Sequence, residues 1–273
     1  MLENIAKMIR LKIIETSHSA HVPHVGSCLS SVDILVALYW NILQISPASA
    51  YCQDRDRFIL SKGHGAPALF QILGERGFFD RSLFERFGQN GSLIGEHPLA
   101  HGVAGIEAAT GSLGHGLPIA AGLALGARMQ HLNNFVYVLM SDGECNEGSV
   151  WEAALFARAQ RLNNLVVIID FNKWQATGRS EEVMALSPFM EKWQAFGWDT
   201  AEVDGHNIRE MTCILQTWRQ ADDHLPHALI AHTVKGKGVS FMEDDNNWHY
   251  KIPTEQEVQA ARRELAITED YYA

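Results

Sequence analysis

Asp142 lies just past the apolar run 135–140, and Asn172 stands thirty positions further on, just beyond a second apolar run at 165–170. If each run is a buried parallel strand, the interval holds about one helix and one strand, and the two side chains arrive at neighbouring strand ends. A carboxylate and a carboxamide oxygen are hard ligands that suit Mg2+, which takes its remaining ligands from phosphate and water. The pair points to a metal-bridged diphosphate, and Gly143 beside Asp142 would let such a ligand approach the backbone closely. Taken alone, Asp142-Gly143 reads better as an ordinary turn; the second oxygen ligand changes that reading.

Two further constellations carry polar chemistry. Gly111, Gly114 and Gly116 precede an expected helix with Pro118 near its first turn. Such a loop can cradle an anion or lie flat against a ring, and it is equally a tight turn that happens to begin a helix. Of thirteen histidines, His24, His64, His97, His115 and His249 fall in expected loops. One such histidine is usually a hydrogen-bonded structural residue, whereas five can donate to phosphate and sugar oxygens and move protons near neutral pH. Zinc is the competing reading, but the sequence has no HExxH and no HxxxH on an expected helix.

The elements that must hold these residues follow from periodicity. Ile5, Ile9 and Ile13 mark a helix over 2–18, and a second helix is expected from Ser30, with Ser30 and Asp33 as a capping box. Strands are expected at 57–60, 135–140, 165–170, 198–203 and 227–233, with helices at 66–76, 117–131, 148–161, 187–196 and 207–219 between them. That alternation predicts an α/β fold, a doubly wound, mostly parallel sheet with helices on both faces and one domain over 1–273. The long segments 87–116 and 170–188 would emerge at the carboxyl ends of strands, where open α/β sheets bind ligands.

Composition excludes other classes. A 47% apolar chain of 273 residues should bury roughly 70 to 75% of its extended surface, which rules out disorder. The net charge of −10 argues against nucleic acid or an anionic membrane as partner. Cys28, Cys52, Cys145 and Cys213 form no CxxC pair and read as structural thiols. Lys7, Arg10 and Lys12 interrupt the first apolar residues, and no run approaches the ~18 to 20 residues of a membrane helix, so a cytoplasmic protein without a membrane span is expected.

Taken together and in order, PHVGSCLSSVDIL, RFILSKGHGAPALF, GEHP, GIEAATGSLGHGL, SDGECNEGSVWEA, DFNKWQATG and FMEDDNNWHYKIP resemble the thiamine-diphosphate-binding N-terminal half of the transketolase family. The resemblance implies that Asp142, the Asn172 side chain and the Trp174 carbonyl hold Mg2+. It implies that Gly143, His64 and His249 contact the diphosphate, with Asn172 also at the cofactor, and that Gly111 and Leu113 support the thiamine pyrimidine. His24 and His97 would face the sugar, and Glu147 would relay proton coupling between two active sites near a subunit interface, with Glu152 close by. Ser141, Phe171, Ser112 and His115 depart from the family pattern, as do Pro23 and Val25 around His24.

The same resemblance implies that the pyrimidine-binding and C-terminal domains belong to a partner chain. The chain would then be the N-terminal subunit of a heteromeric transketolase, expected as a heterotetramer. It would transfer a two-carbon ketol unit from a ketose or ketose phosphate to an aldose or aldose phosphate. Alternatives are the α subunit of a thiamine-diphosphate-dependent 2-oxoacid dehydrogenase or decarboxylase, and a non-catalytic cofactor-binding scaffold subunit.

Overall fold

Five short strands run parallel in one sheet: β1 (Arg57–Leu60), β2 (Val136–Ser141), β3 (Leu165–Phe171), β4 (Asp199–Asp204) and β5 (His227–His232), in the spatial order β1-β2-β3-β5-β4. The computed structural model describes residues 1–100, 102–221 and 223–266. The helices are α1 (Leu2–Ala20), α2 (Val25–Ser30), α3 (Val32–Ala37), α4 (Ala66–Glu75), α5 (Gly116–Met129), α6 (Gly148–Ala159), α7 (Ser180–Val183), α8 (Phe189–Ala195), α9 (Ile208–Arg219) and α10 (Glu255–Glu264).

Successive strand residues point to opposite faces, and in this sheet both faces are covered. Phe58, Leu60, Tyr137, Leu139, Val166, Ile168 and Leu229 pack with α1, α3, α4 and α9, whereas Ile59, Val138, Met140, Val167, Ile169 and Ile230 pack with α5, α6 and α8. Each fully buried Val, Leu or Ile contributes about 1.5 to 3 kcal/mol, so the unbroken apolar runs are what force these segments to the centre. β4, one of the two edge strands, reads differently: Asp199, Thr200, Glu202 and Asp204 keep it polar, as edges that must not pair with other chains usually are.

The doubly wound parallel sheet is as expected, with the expected strand and crossover-helix boundaries shifted by at most two residues. One local expectation fails. Ser30 does not cap a helix; it ends α2, which already begins at Val25. Its hydroxyl donates to the Ser27 carbonyl at 3.1 Å and to Asp170 Oδ2 at 2.6 Å. Asp33 is likewise no capping partner, because its carboxylate binds the Arg10 guanidinium and, at 2.7 Å, His206 Nδ1. Both side chains find long-range partners that a local pattern does not show. No helix among the described residues is long and apolar enough to cross a membrane.

Candidate active site

Because the strands are parallel, Ser61, Asp142, Asn172 and Thr233 leave the sheet at one edge. Ser141 lies opposite Asp170 in the β2–β3 register, so Asp142 and Asn172 follow as near neighbours. Lys173 adopts a left-handed conformation at φ 69°, which turns the chain sharply after Asn172. The turn aims the Lys173 N–H at Asp142 Oδ2, at 3.0 Å, and the Trp174 N–H at Asn172 Oδ1, also 3.0 Å. Ser180 donates a second hydrogen bond to Asp142 Oδ2 at 2.7 Å. The carboxylate and the carboxamide are thereby fixed within one turn of backbone.

Asp142 is fully buried, and its other oxygen, Oδ1, has no hydrogen-bond partner among the described residues. Burial pushes its carboxyl up to about 6, and the nearby Asp170 carboxylate adds to that, against the opposing hydrogen bond from Ser180. A buried carboxylate oxygen without a partner is costly unless a cation satisfies it. The Asn146 carboxamide oxygen in the same turn is also buried and unpartnered. These donors fit a hard divalent cation such as Mg2+.

Above this turn opens a cavity of about 460 Å3, lined among others by His24, His64, His97, Gly111, Leu113, Gly143, Glu147, Asn172, Trp174 and His249. Asp142 lies beneath its floor, between the lining residues Ser141 and Gly143. The residues expected to hold metal, diphosphate, pyrimidine and sugar therefore meet at one place. Gly143 is a close approach, since a Cβ there would lie 2.9 Å from Gln175 Cγ. At Gly111, φ is 144° and a Cβ would lie 2.6 Å from the His97 ring, so this wall admits no side chain.

Four imidazoles gather on the other wall. The His24 ring centre is 5.5 Å from His64, 6.4 Å from His97 and 5.0 Å from His249. The His24 N–H donates to the His249 carbonyl at 2.9 Å, which stitches the two loops together. Burial, and after it the neighbouring His97, Lys235 and Lys62, pushes His24 down to about 4. Burial followed by the Lys235 charge pushes His249 down to about 3, and His64 is held well below the ordinary imidazole range, chiefly by burial. These three rings are neutral at pH 7 and offer one donor and one acceptor each. Ring-nitrogen NMR of the metal-free chain should therefore find His24 and His249 neutral down to about pH 5, and a midpoint near the ordinary ~6.5 at either would contradict this geometry.

Several residues of the site were not singled out from the sequence. Lys62 and Asp170 are fully buried and paired beneath the cavity, and Asp170 also accepts from Ser30 and Thr233. Lys235 donates to Asn246 Oδ1 at 2.6 Å and approaches His249 Nδ1 at 3.3 Å. Burial and then the Lys62 charge hold it down to about 8. Loop 172–180 is anchored to the 244–249 segment by Arg179, which pairs with Asp244 and stacks over Trp174 at 3.7 Å. His115 does not line the cavity; it is exposed. Glu152 is exposed on α6, on the solvated face a helix position of this kind ordinarily has. A grouping of Asp199, Asp223 and His227 sits at the opposite, amino-terminal edge of β4 and β5 and takes no part in the cavity.

A cavity at the carboxyl edge of a parallel sheet, with a buried carboxylate on its floor and neutral histidines on its wall, suits a metal-bridged anion with a polar organic substrate above it. Residues 1–272 match the family described as "Transketolase, thiamine diphosphate binding domain". The chain is 42% identical to one of the subunits of the apulose-4-phosphate transketolase of Phocaeicola vulgatus, covering 97% of this chain and 94% of that protein. It is 39% identical to a 6-deoxy-6-sulfo-D-fructose transketolase subunit of a Clostridium species, over 97% of this chain and 96% of that one. Human transketolase is 35% identical over 92% of this chain, which spans only 40% of the human protein. The solved transketolase of Campylobacter jejuni superposes with a TM-score of 0.91 at 26% identity, over 97% of this chain and 43% of that one. The chain belongs to the transketolase family, of which it carries the thiamine diphosphate binding domain.

Proposed function

We propose that this chain is the N-terminal subunit of a heteromeric transketolase, which moves a two-carbon ketol unit from a ketose phosphate to an aldose phosphate. The observation that carries the reading is the buried Asp142 carboxylate, with one oxygen unpartnered, held one turn of backbone from Asn172 on the floor of the histidine-lined cavity. The pyrimidine-binding domain is assigned to a partner chain. This assignment is supported by the lengths: the chain spans nearly all of two proteins named as transketolase subunits but 40% of human transketolase. A heterotetramer acting in the cytoplasm completes the proposal. Both of these relatives are named for sugars bearing a terminal anion, phosphate in one and sulfonate in the other, which supports an anionic sugar here.

The roles divide by position. Asp142 Oδ1, the Asn172 carboxamide oxygen and the Trp174 carbonyl would hold Mg2+. Gly143, His64 and His249 would face the diphosphate, with the Lys235 ammonium beside His249 supplying charge that an acidic protein otherwise lacks. Gly111 and Leu113 form the wall for the pyrimidine. Thiamine diphosphate, when bound, supplies the carbon centre that carries the two-carbon unit between carbonyls. The neutral His24 ring, beside His97, would hold the sugar hydroxyls and pass protons at the carbonyl oxygen. Glu147, at the cavity rim and exposed, would couple the two sites of the assembly.

The test is reconstitution. The purified chain with Mg2+ and thiamine diphosphate should show no ketol transfer, and adding its co-encoded partner chain should restore it. Full activity of the chain alone would contradict the division of labour. A complex that binds cofactor but never turns over would favour the scaffold alternative, and decarboxylation of a 2-oxoacid would favour the dehydrogenase-type alternative.

A further inference from the structure

The glycine loop and the metal turn come from distant parts of the sequence, yet one side chain fastens them together. Glu144 lies two residues after Asp142 and is fully buried. Its Oε1 accepts from the Gly114 N–H at 2.8 Å and from the Ser61 hydroxyl, while Oε2 accepts from the Ser141 N–H at 3.4 Å. The Ser141 hydroxyl in turn accepts from the Glu144 N–H at 3.3 Å. One carboxylate thus touches the end of β1, the end of β2 and the middle of the Gly111–Gly116 loop.

The loop has few other ties. Thr110 donates to the Leu60 carbonyl at 2.6 Å, and Ser149 donates to the Gly114 carbonyl at 2.8 Å. Both peptide groups flanking Gly114 are therefore held from the segment that also carries Asp142. Gly114 itself has φ 83°, and a Cβ would lie 2.6 Å from both Glu147 Cβ and Ser149 Oγ, so the contact is close enough to transmit displacement.

We propose that Glu144 is a positioning residue that locks the ring-side wall of the cofactor cavity onto the metal turn, so that the wall is formed before the cofactor arrives. The proposal rests on the reading of the cavity as a thiamine diphosphate site, and it concerns the ring end alone. Inorganic diphosphate with Mg2+ probes only the metal end, and thiamine diphosphate with Mg2+ probes both.

Calorimetry on the full chain assembled with its partner separates the two. Wild type should bind thiamine diphosphate more tightly than inorganic diphosphate. Glu144→Ala should leave inorganic diphosphate within about 3-fold and weaken thiamine diphosphate by about 10- to 100-fold, the effect of losing hydrogen bonds to a charged acceptor. Glu144→Gln keeps an oxygen for the Gly114 N–H and should restore most of that loss. Amide exchange at Gly114 should be slow in cofactor-free wild type and fast in the alanine variant. Should the alanine variant not fold, Ser149→Ala carries the same selective loss at about 3-fold. A preserved ratio of the two affinities, an equal loss for both probes, or no rescue by glutamine would overturn the proposal. A wild-type chain that binds neither probe with Mg2+ even when assembled with its partner would instead refute the cofactor reading, and this proposal with it.

Discussion

Replacing Asp142 by alanine is expected to weaken Mg2+-dependent thiamine diphosphate binding at least about 100-fold while the chain still folds. The carboxylate would supply a charged ligand on the cavity floor, and its Oδ1 has no hydrogen-bond partner among the described residues. The same burial makes the group a liability in the metal-free chain. Its carboxyl is pushed from 3.8 to about 6 on folding. Raised in the folded state, an acid favours folding only while protonated: stability is full below pH ~4, falls as pH rises toward 6, and stays reduced above it, by about 3 kcal/mol.

Two measurable consequences follow from that sign. Asp142→Asn should raise the urea midpoint of the metal-free chain at pH 7.5 and leave it unchanged below pH 4. Stabilisation by Mg2+ with thiamine diphosphate should be larger at pH 7.5 than at pH 5, where the ion must displace a proton. Unchanged cofactor affinity in Asp142→Ala would remove the metal assignment, and an Asn variant less stable at pH 7.5 than wild type would remove the raised carboxyl.

Asp170→Ala is expected to be the most destabilising single change near the site. Asp170 and Lys62 are both fully buried, and apart from Asp170 the Lys62 ammonium donates to the Ser27 carbonyl at 2.8 Å. Removing the carboxylate strands that charge, unpairs the Thr233 hydroxyl and leaves the Ser30 hydroxyl only its longer bond to the Ser27 carbonyl. Breaking a buried pair from one side typically costs about 3 to 5 kcal/mol, because the remaining ion is desolvated without compensation. Removing both charges, as in Lys62→Met with Asp170→Asn, should recover most of the loss, and a double-mutant cycle by urea unfolding measures it. A loss under about 1 kcal/mol in Asp170→Ala would mean that the pair is not sealed from water.

The contrast between Asp142 and Asp170 shows what the sequence could disclose. Asp142 and Asn172 were legible because each stands just past an apolar run, and parallel strands deliver such positions to one edge. The histidine loops were legible by residue type. Asp170 carried a weaker signal, an acid closing the run 165–170 two positions before Asn172, and it passed as part of the strand. Lys62, Lys235 and Glu144 carried none, since a charge in a glycine-rich or polar stretch is ordinarily solvated and only tertiary packing buries it. Ser30 was misread for the same reason: its partner lies 140 residues away, beyond any local pattern.

The central claim is that one divalent cation is held jointly by the ends of β2 and β3. Anomalous diffraction from crystals grown with Mn2+ and thiamine diphosphate tests it most directly. A single strong peak is expected within about 2.5 Å of Asp142 Oδ1, the Asn172 carboxamide oxygen and the Trp174 carbonyl, next to the diphosphate. A peak elsewhere, such as among Asp199, Asp223 and His227, with the Asp142 turn left empty, would contradict it.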